Sequence, residues 1–365
     1  MTARLELIDI HKRFEDTAAV NGISLALAPG EFFSLLGPSG CGKSTTLAMV
    51  AGFLEPDGGE IRVEGRSILH LPPQARRIGL VFQDYAVFSK LTVAENLAFG
   101  LEVRRVRRAE RRRLVHELAQ RLALTSILGR RGGSLNMSEM QRVALARVLI
   151  TNPELLLLDE PMSNLDAEVR ASLRGELKRI QQDLRQTVLY VTHDQVEAMS
   201  MSDRIAVMRE GAILQVASPD EIFRAPAHRF VAEFIGDPPI NMLPATVEGD
   251  GSSRIARLPA NWILPLGPGE LAEGAYLLGI RPHELMLSAA SGTGTAAGIV
   301  RFLENLGAEH VLHVELGDML IRVSARPGSA RIGEGVNLRT QSWQGLLFDA
   351  RTGNRVPVRA LGAAA

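Results

Sequence analysis

The amino-acid sequence predicts an α/β domain built on a mostly parallel sheet, followed by a small all-β barrel domain. Three observations predict it. Short, wholly apolar runs at 155–158 and 188–191 have the length and composition of strands buried on both faces. Helical patterns separate such runs, notably 141–150 and 167–184, and strands alternating with helices argue for parallel pairing. Near Gly236-Asp237-Pro238-Pro239 the texture changes to short strands with many glycines and prolines, and long helical periodicity stops.

In chain order, residues 5–10 alternate apolar and polar, as a half-buried strand does. Asn21-Gly22 reads as a turn before a second strand, 23–27. A third, 31–36, feeds into a glycine-rich stretch and then a helix over 43–51. In the last third the predicted strands are 275–280, 298–303, 310–316 and 320–323. The boundary falls at about residue 236, giving domains 1–235 and 236–365.

Lysine plus arginine and aspartate plus glutamate both number 41, so the formal net charge is zero and a chain-wide basic footprint for nucleic acid is absent. A single cysteine, Cys41, forbids an internal disulfide and fits a reducing cytosol. No apolar run approaches the ~20 residues that cross a bilayer, and the charged start lacks a signal-peptide core. A soluble chain is expected, with any membrane role reached through a partner. Seven arginines crowd 104–113; a solvated helix face explains them, and aromatic interleaving for nucleic acid is lacking.

The strongest motif is Gly37-Pro38-Ser39-Gly40-Cys41-Gly42-Lys43-Ser44-Thr45, which matches G-x-x-x-x-G-K-[ST] between a strand and a helix. Glycines let successive amides approach phosphate, the helix N-terminus faces the anion, Lys43 neutralises β/γ-phosphate charge and the Ser44 hydroxyl ligates magnesium. In LLLLDEP the leucines bury a strand, so Asp159 emerges at its C-terminal end, where open α/β sheets bind ligands. Asp159 then holds magnesium, and Glu160 is placed to polarise an attacking water. Alone, this pair reads as an acidic strand end capping a helix; beside a phosphate loop it reads as chemistry. His193 ends another strand of the same sheet, where a histidine is either structural or a phosphate and water contact.

With these in order and spacing, together with VFQ, SNLD and VTHDQVEAM, the chain resembles ABC-transporter nucleotide-binding subunits. LTVAEN, SNLDAEVR, HDQVEAMSMSDRI, FVAEFIGDPPINML and GIRPHE narrow the likeness to the ATPase subunits of maltose- and glycerol-3-phosphate-type importers. The resemblance covers nearly the whole chain. It implies a P-loop NTPase (ABC ATPase) domain with a helical subdomain, and an OB-like, TOBE-type domain with regulatory and dimer-forming roles. The cofactors implied are ATP and Mg2+. The partners implied are two transmembrane permease subunits, a second ATPase subunit and, indirectly, an extracytoplasmic solute-binding protein. The place implied is the cytoplasmic face of the inner membrane. It also implies that Phe14 stacks on adenine (a core phenylalanine is the alternative) and that Gln83 senses magnesium. The segment 84–95 would face the permease, Asp166 would sit in the loop crossing the dimer interface, and His193 would be the switch histidine.

One segment departs from the family. Where the signature LSGGQ belongs, the chain reads Leu135-Asn136-Met137-Ser138-Glu139. Asn136 replaces serine, and Met137 and Ser138 replace both glycines, adding bulk where a partner's γ-phosphate is approached. The expectation is a heterodimer in which this chain's own half-site is complete and its offered half-site is degenerate, a homodimer being the alternative. An ATP-binding regulatory subunit with little turnover stays open. So does a soluble ABC ATPase acting on nucleic acid, although Trp262, Tyr276, Phe302, Trp343 and Phe348 in the barrel read as core rather than as a stacking platform.

Overall fold

The computed structural model describes residues 3–82, 85–163, 165–249, 254–266, 271–289, 292, 294–340 and 345–358. It divides into two compact units, residues 1–219 and 220–365.

The first unit runs β1 (Leu5–Phe14), β2 (Thr17–Leu27), β3 (Phe32–Leu36), α1 (Lys43–Ala51), β4 (Gly58–Val63), β5 (Arg66–Ser67) and β6 (Ile78–Val81). There follow α2 (Val93–Val103), α3 (Arg108–Arg121), α4 (Met137–Leu149), β7 (Leu155–Asp159), α5 (Ala167–Leu184), β8 (Val188–Thr192), α6 (Gln195–Met201), β9 (Arg204–Arg209) and β10 (Ala212–Ala217). The central sheet has the order β10-β9-β3-β8-β7-β6, with β9, β3, β8, β7 and β6 parallel and β10 antiparallel at the edge. The leucine run of β7 shows why its strands carry no polar alternation. Leu155 and Leu157 pack with α1 and the second sheet, while Leu156 and Leu158 pack with α2, α4 and α5.

The second sheet, β2-β1-β4-β5, is antiparallel. Asn21-Gly22 is not the turn that the sequence suggested. The hairpin turns at Glu15-Asp16, and Gly22 (φ +70°) is a bulge within β2, the unpaired residue between Ile10↔Ile23 and His11↔Asn21.

The second unit begins with α7 (Pro219–Arg224) and α8 (Arg229–Phe234) and continues as strands: β11 (Asn241–Glu248), β12 (Ile255–Arg257), β13 (Ile263–Pro265), β14 (Gly274–Ile280), β15 (Leu285–Ser288), β16 (Thr295–Asn305), β17 (His310–Leu316), β18 (Met319–Ala325), β19 (Gly335–Thr340), β20 (Leu346–Asp349) and β21 (Arg355–Val356). They form two antiparallel sheets, β13-β12-β11-β14-β20-β21 and β15-β19-β16-β17-β18, around one apolar core. Of the aromatics expected inside, Trp262 and Phe348 are fully buried and Tyr276 is half-buried. Phe302 is instead exposed, because a bulge between Val300 and Phe302 breaks the inward alternation that buries Val300. Trp343 lies outside the described residues.

Candidate functional site

Three neighbouring strands end level with one another. Leu36 of β3 pairs with Thr192 of β8, and Asp159 of β7 pairs with Val191, so the loops that follow open at one edge of the sheet. After β3 the chain turns from Gly37 through Pro38, Ser39, Gly40 and Cys41 to Gly42, the N-cap of α1. Gly42 has φ +104°, and a Cβ there would lie 2.3 Å from the Ala19 carbonyl oxygen of β2. At Gly37 a Cβ would lie 2.4 Å from the Met208 carbonyl oxygen. Space therefore requires glycine at both ends of the loop, and at Gly42 the backbone conformation requires it as well.

Lys43 is buried, and its Nζ donates to the carbonyls of Gly37 (2.8 Å) and Pro38 (2.9 Å), holding the ammonium against the loop backbone. Burial pushes the Cys41 thiol up, so it packs as a small neutral group within the core under the loop. Ser44 and Thr45 follow Lys43 in the first turn of α1, and the Ser44 hydroxyl donates to Asp159 Oδ1 at 3.1 Å. Burial raises the Asp159 carboxyl above its ordinary range, with the Glu160 charge adding and the Ser44 hydrogen bond opposing. At the far end of α1, buried Arg76 donates to the carbonyls of Met49 (2.8 Å) and Val50 (3.0 Å), closing the last turn.

Glu160 takes left-handed backbone (φ +43°), with its amide donating to the Val191 carbonyl at 2.9 Å. Its Oε2 lies 3.0 Å from His193 Nδ1, on a ring 51% exposed. The phosphate loop, Asp159, Glu160 and His193 are thus gathered as the motifs suggested. Phe14 closes the β1–β2 hairpin, which abuts the loop through Ala19. It is 48% exposed, which removes the core alternative, and Lys12 Nζ lies 5.7 Å from its ring centre. Gln83 lies outside the described residues.

The segment 85–95 is pinned from within. Tyr85 is buried, donates to the Pro161 carbonyl at 2.8 Å, and has its hydroxyl pushed up to about 12 by burial and the Glu197 charge. Buried Asn96 accepts from the Phe88 amide at 2.9 Å and donates to the carbonyls of Phe88 (3.0 Å) and Thr92 (3.0 Å). Asn96 closes the LTVAEN motif, which marked the family but not this pinning role, and Tyr85 carries no motif.

The segment 135–139 starts α4 as a reciprocal cap. Asn136 Oδ1 accepts from the Glu139 amide at 2.9 Å, and Glu139 Oε2 accepts from the Asn136 amide at 2.9 Å. Arg130 pairs with Glu139 Oε1 at 2.7 Å. The Asn136 amide, with Arg130, holds the Glu139 carboxyl below the usual range, so it stays charged. Met137 is exposed and Ser138 half-buried. Asp166 caps α5, accepting from the Val169 amide at 2.9 Å.

An ABC transporter family profile matches residues 20–163, and a TOBE domain profile matches residues 278–348. Over 352 residues the chain is 42% identical to the trehalose/maltose import ATP-binding protein MalK of Thermococcus litoralis, covering 92% of this chain and 94% of that one. It is 37% identical to the sn-glycerol-3-phosphate import ATP-binding protein UgpC 1 of Rhizobium johnstonii, covering 96% and 95%. Among solved structures, cbiO1 from Clostridium perfringens, part of the ABC transporter complex cbiONQ, aligns with a TM-score of 0.57 at 28% identity, covering 61% of this chain and 91% of that one.

Proposed function

Because the chain belongs to the ATP-binding import subunits of the ABC-transporter family, which are ATPases, we propose that it hydrolyses ATP to drive uptake of a small polar solute: a sugar, a polyol or a glycerol phosphate. The relatives' names, for trehalose/maltose and sn-glycerol-3-phosphate import, support that class. The chain would act peripherally at the cytoplasmic face, beneath two permease subunits served by an extracytoplasmic solute-binding protein. None of its described helices is long and apolar enough to cross a membrane.

One observation carries the reading: Lys43, the Ser44–Asp159 pair and the Glu160–His193 pair converge on the ends of β3, β7 and β8. The amides from Ser39 to Thr45 would cradle the phosphates, with Lys43 exchanging loop carbonyls for β/γ-phosphate oxygens. An oxygen-only pair, one member a carboxylate raised by burial, fits a hard cation. Ser44 and Asp159 would therefore hold magnesium, which when bound neutralises charge on the β/γ oxygens. Glu160 takes a proton from the water that attacks the γ-phosphorus, and ADP leaves with the β–γ bridging oxygen. His193 Nδ1 donates to Glu160, aiming the carboxylate. Nε2 then donates to a γ-oxygen when the ring carries both protons, and otherwise accepts from the water.

The ATPase pair is proposed to be a heterodimer. The start of α4, which in the family closes over the partner's ATP, here ties up the amides of Asn136 and Glu139 and carries the Glu139 charge where an anion should approach. The partner would bring an intact signature to this chain's complete half-site. The test is turnover by this chain alone and in the assembled transporter. Alone it should bind ATP and turn over little. In the complex, Glu160→Gln should keep ATP affinity within about twofold and slow hydrolysis by roughly 10²–10⁴. Robust cooperative turnover by the chain alone would overturn the heterodimer, and undiminished turnover by the variant complex would remove Glu160 as base.

A further inference from the structure

His193 has a single side-chain hydrogen bond among the described residues, to Glu160, so its position depends on the turn that carries it. That turn is held from α5. Arg170 Nη1 donates to Asp194 Oδ2 at 2.8 Å, and Nη2 donates to the Leu165 carbonyl at 2.8 Å. One planar guanidinium therefore spans the residue after His193 and the residue before Asp166. Both attachments are firm. Asp194 Oδ1 caps α6 by accepting from the amides of Val196 (2.7 Å) and Glu197 (3.1 Å), and the Asp194 amide donates to Thr192 Oγ1 at 3.0 Å. Behind them, buried Glu197 accepts from Tyr190 (2.8 Å) and Thr192 (2.6 Å), and its Oε1 lies 4.0 Å from Arg170 Nε. On the other side Asp166 is locked to α5 by its own cap.

We propose that Arg170 is a positioning residue that ties the Asp166 loop to the His193 turn, so that displacement of that loop by a partner subunit is delivered to this chain's own hydrolysis site. The inference rests on the proposed role of His193. Two charge-assisted hydrogen bonds in a part-buried setting make the link stiff. A lysine cannot replace the fork, because one ammonium is a point donor and does not span both acceptors in a fixed plane.

The test uses the full chain in its assembled transporter, with ATP affinity, KM and kcat measured separately. Arg170→Met should lower kcat between roughly tenfold and a hundredfold, the scale of a small misplacement of catalytic groups. KM and ATP affinity should stay within about twofold. Arg170→Lys should recover only part of the loss. Asp194→Asn, which keeps an oxygen for the α6 cap and removes the carboxylate charge facing Arg170, should reproduce the kcat defect and guards against misfolding of the first variant. In a His193→Ala background Arg170→Met should add little. An unchanged kcat in Arg170→Met, full rescue by lysine, or losses that multiply with His193→Ala would overturn the link. If His193→Ala alone leaves kcat unchanged, it is the proposed role of His193 that falls.

Discussion

At the scale of single residues the site separates groups that hold ATP from groups that act on it. Lys43 lies inside the loop, against carbonyls that it would give up for phosphate oxygens. Replacing it with alanine removes a charge-assisted donor, which is typically about 1.5–3 kcal/mol. Nucleotide titration of Lys43→Ala should therefore show a loss of affinity of roughly ten- to a hundredfold, and unaltered binding would exclude Lys43 from the phosphate site. Phe14 differs because it is exposed at a hairpin end and contributes nothing to the core. Base–aromatic stacking is worth about 1–3 kcal/mol. Phe14→Ala should weaken ATP binding accordingly while leaving the melting temperature in place, and Phe14→Tyr should preserve both. A melting temperature that falls with unchanged affinity would make Phe14 a folding residue instead. Lys43 was legible because its motif forces one geometry. Phe14 was open to two readings because exposure is a tertiary property that its sequence neighbours do not set.

At the scale of elements, α4 shows how one segment answers two questions. The register of QRVALAR puts Met137 and Ser138 where the family resemblance implies glycines. The same letters, Asn136-x-x-Glu139, are also a capping box, and that spacing was available in the sequence. The Glu139 charge follows from that cap rather than from the glycine positions. Restoring Asn136→Ser, Met137→Gly and Ser138→Gly together should admit phosphate and raise turnover at the partner's site, by up to roughly 10²–10³ if this contact is limiting. It should also lower the melting temperature, since each glycine costs about 0.5–1 kcal/mol in a helix. Adding Glu139→Gln should raise turnover again by removing the anion at the helix start. ATPase assays of the assembled complex decide it, and no gain in either variant would mean that this segment does not limit the rate. The strands of the central sheet were legible because burial on both faces makes them continuously apolar. The bulges at Gly22 and Phe302 were not, because a bulge is set by pairing with a neighbour rather than by local composition.

At the scale of the whole molecule the second unit begins earlier than composition suggests. Composition changes at Gly236, but the chain's contacts divide before Asp220. Arg281 accounts for the difference. It is buried in the second unit, lowered to about 10 by that burial, and donates to the carbonyls of Ile235 (2.7 Å) and Phe223 (2.7 Å) while lying 3.7 Å over the Phe223 ring. Ala232 of α8 also packs with Ile240, Leu346 and Phe348. The two short helices are thereby parts of the β unit, joined by contacts that no local pattern reveals. A fragment 236–365 would lose both carbonyl acceptors and the Phe223 ring that cover Arg281, together with the packing of Ala232 on Ile240, Leu346 and Phe348. We therefore expect 220–365 to fold cooperatively and 236–365 to be markedly less stable or to aggregate. Arg281→Met should be milder than the truncation, because it removes the charge together with its need for acceptors. Thermal denaturation of the three proteins checks this. Equal stability of the two fragments would return the boundary to Gly236 and leave α7 and α8 as a linker.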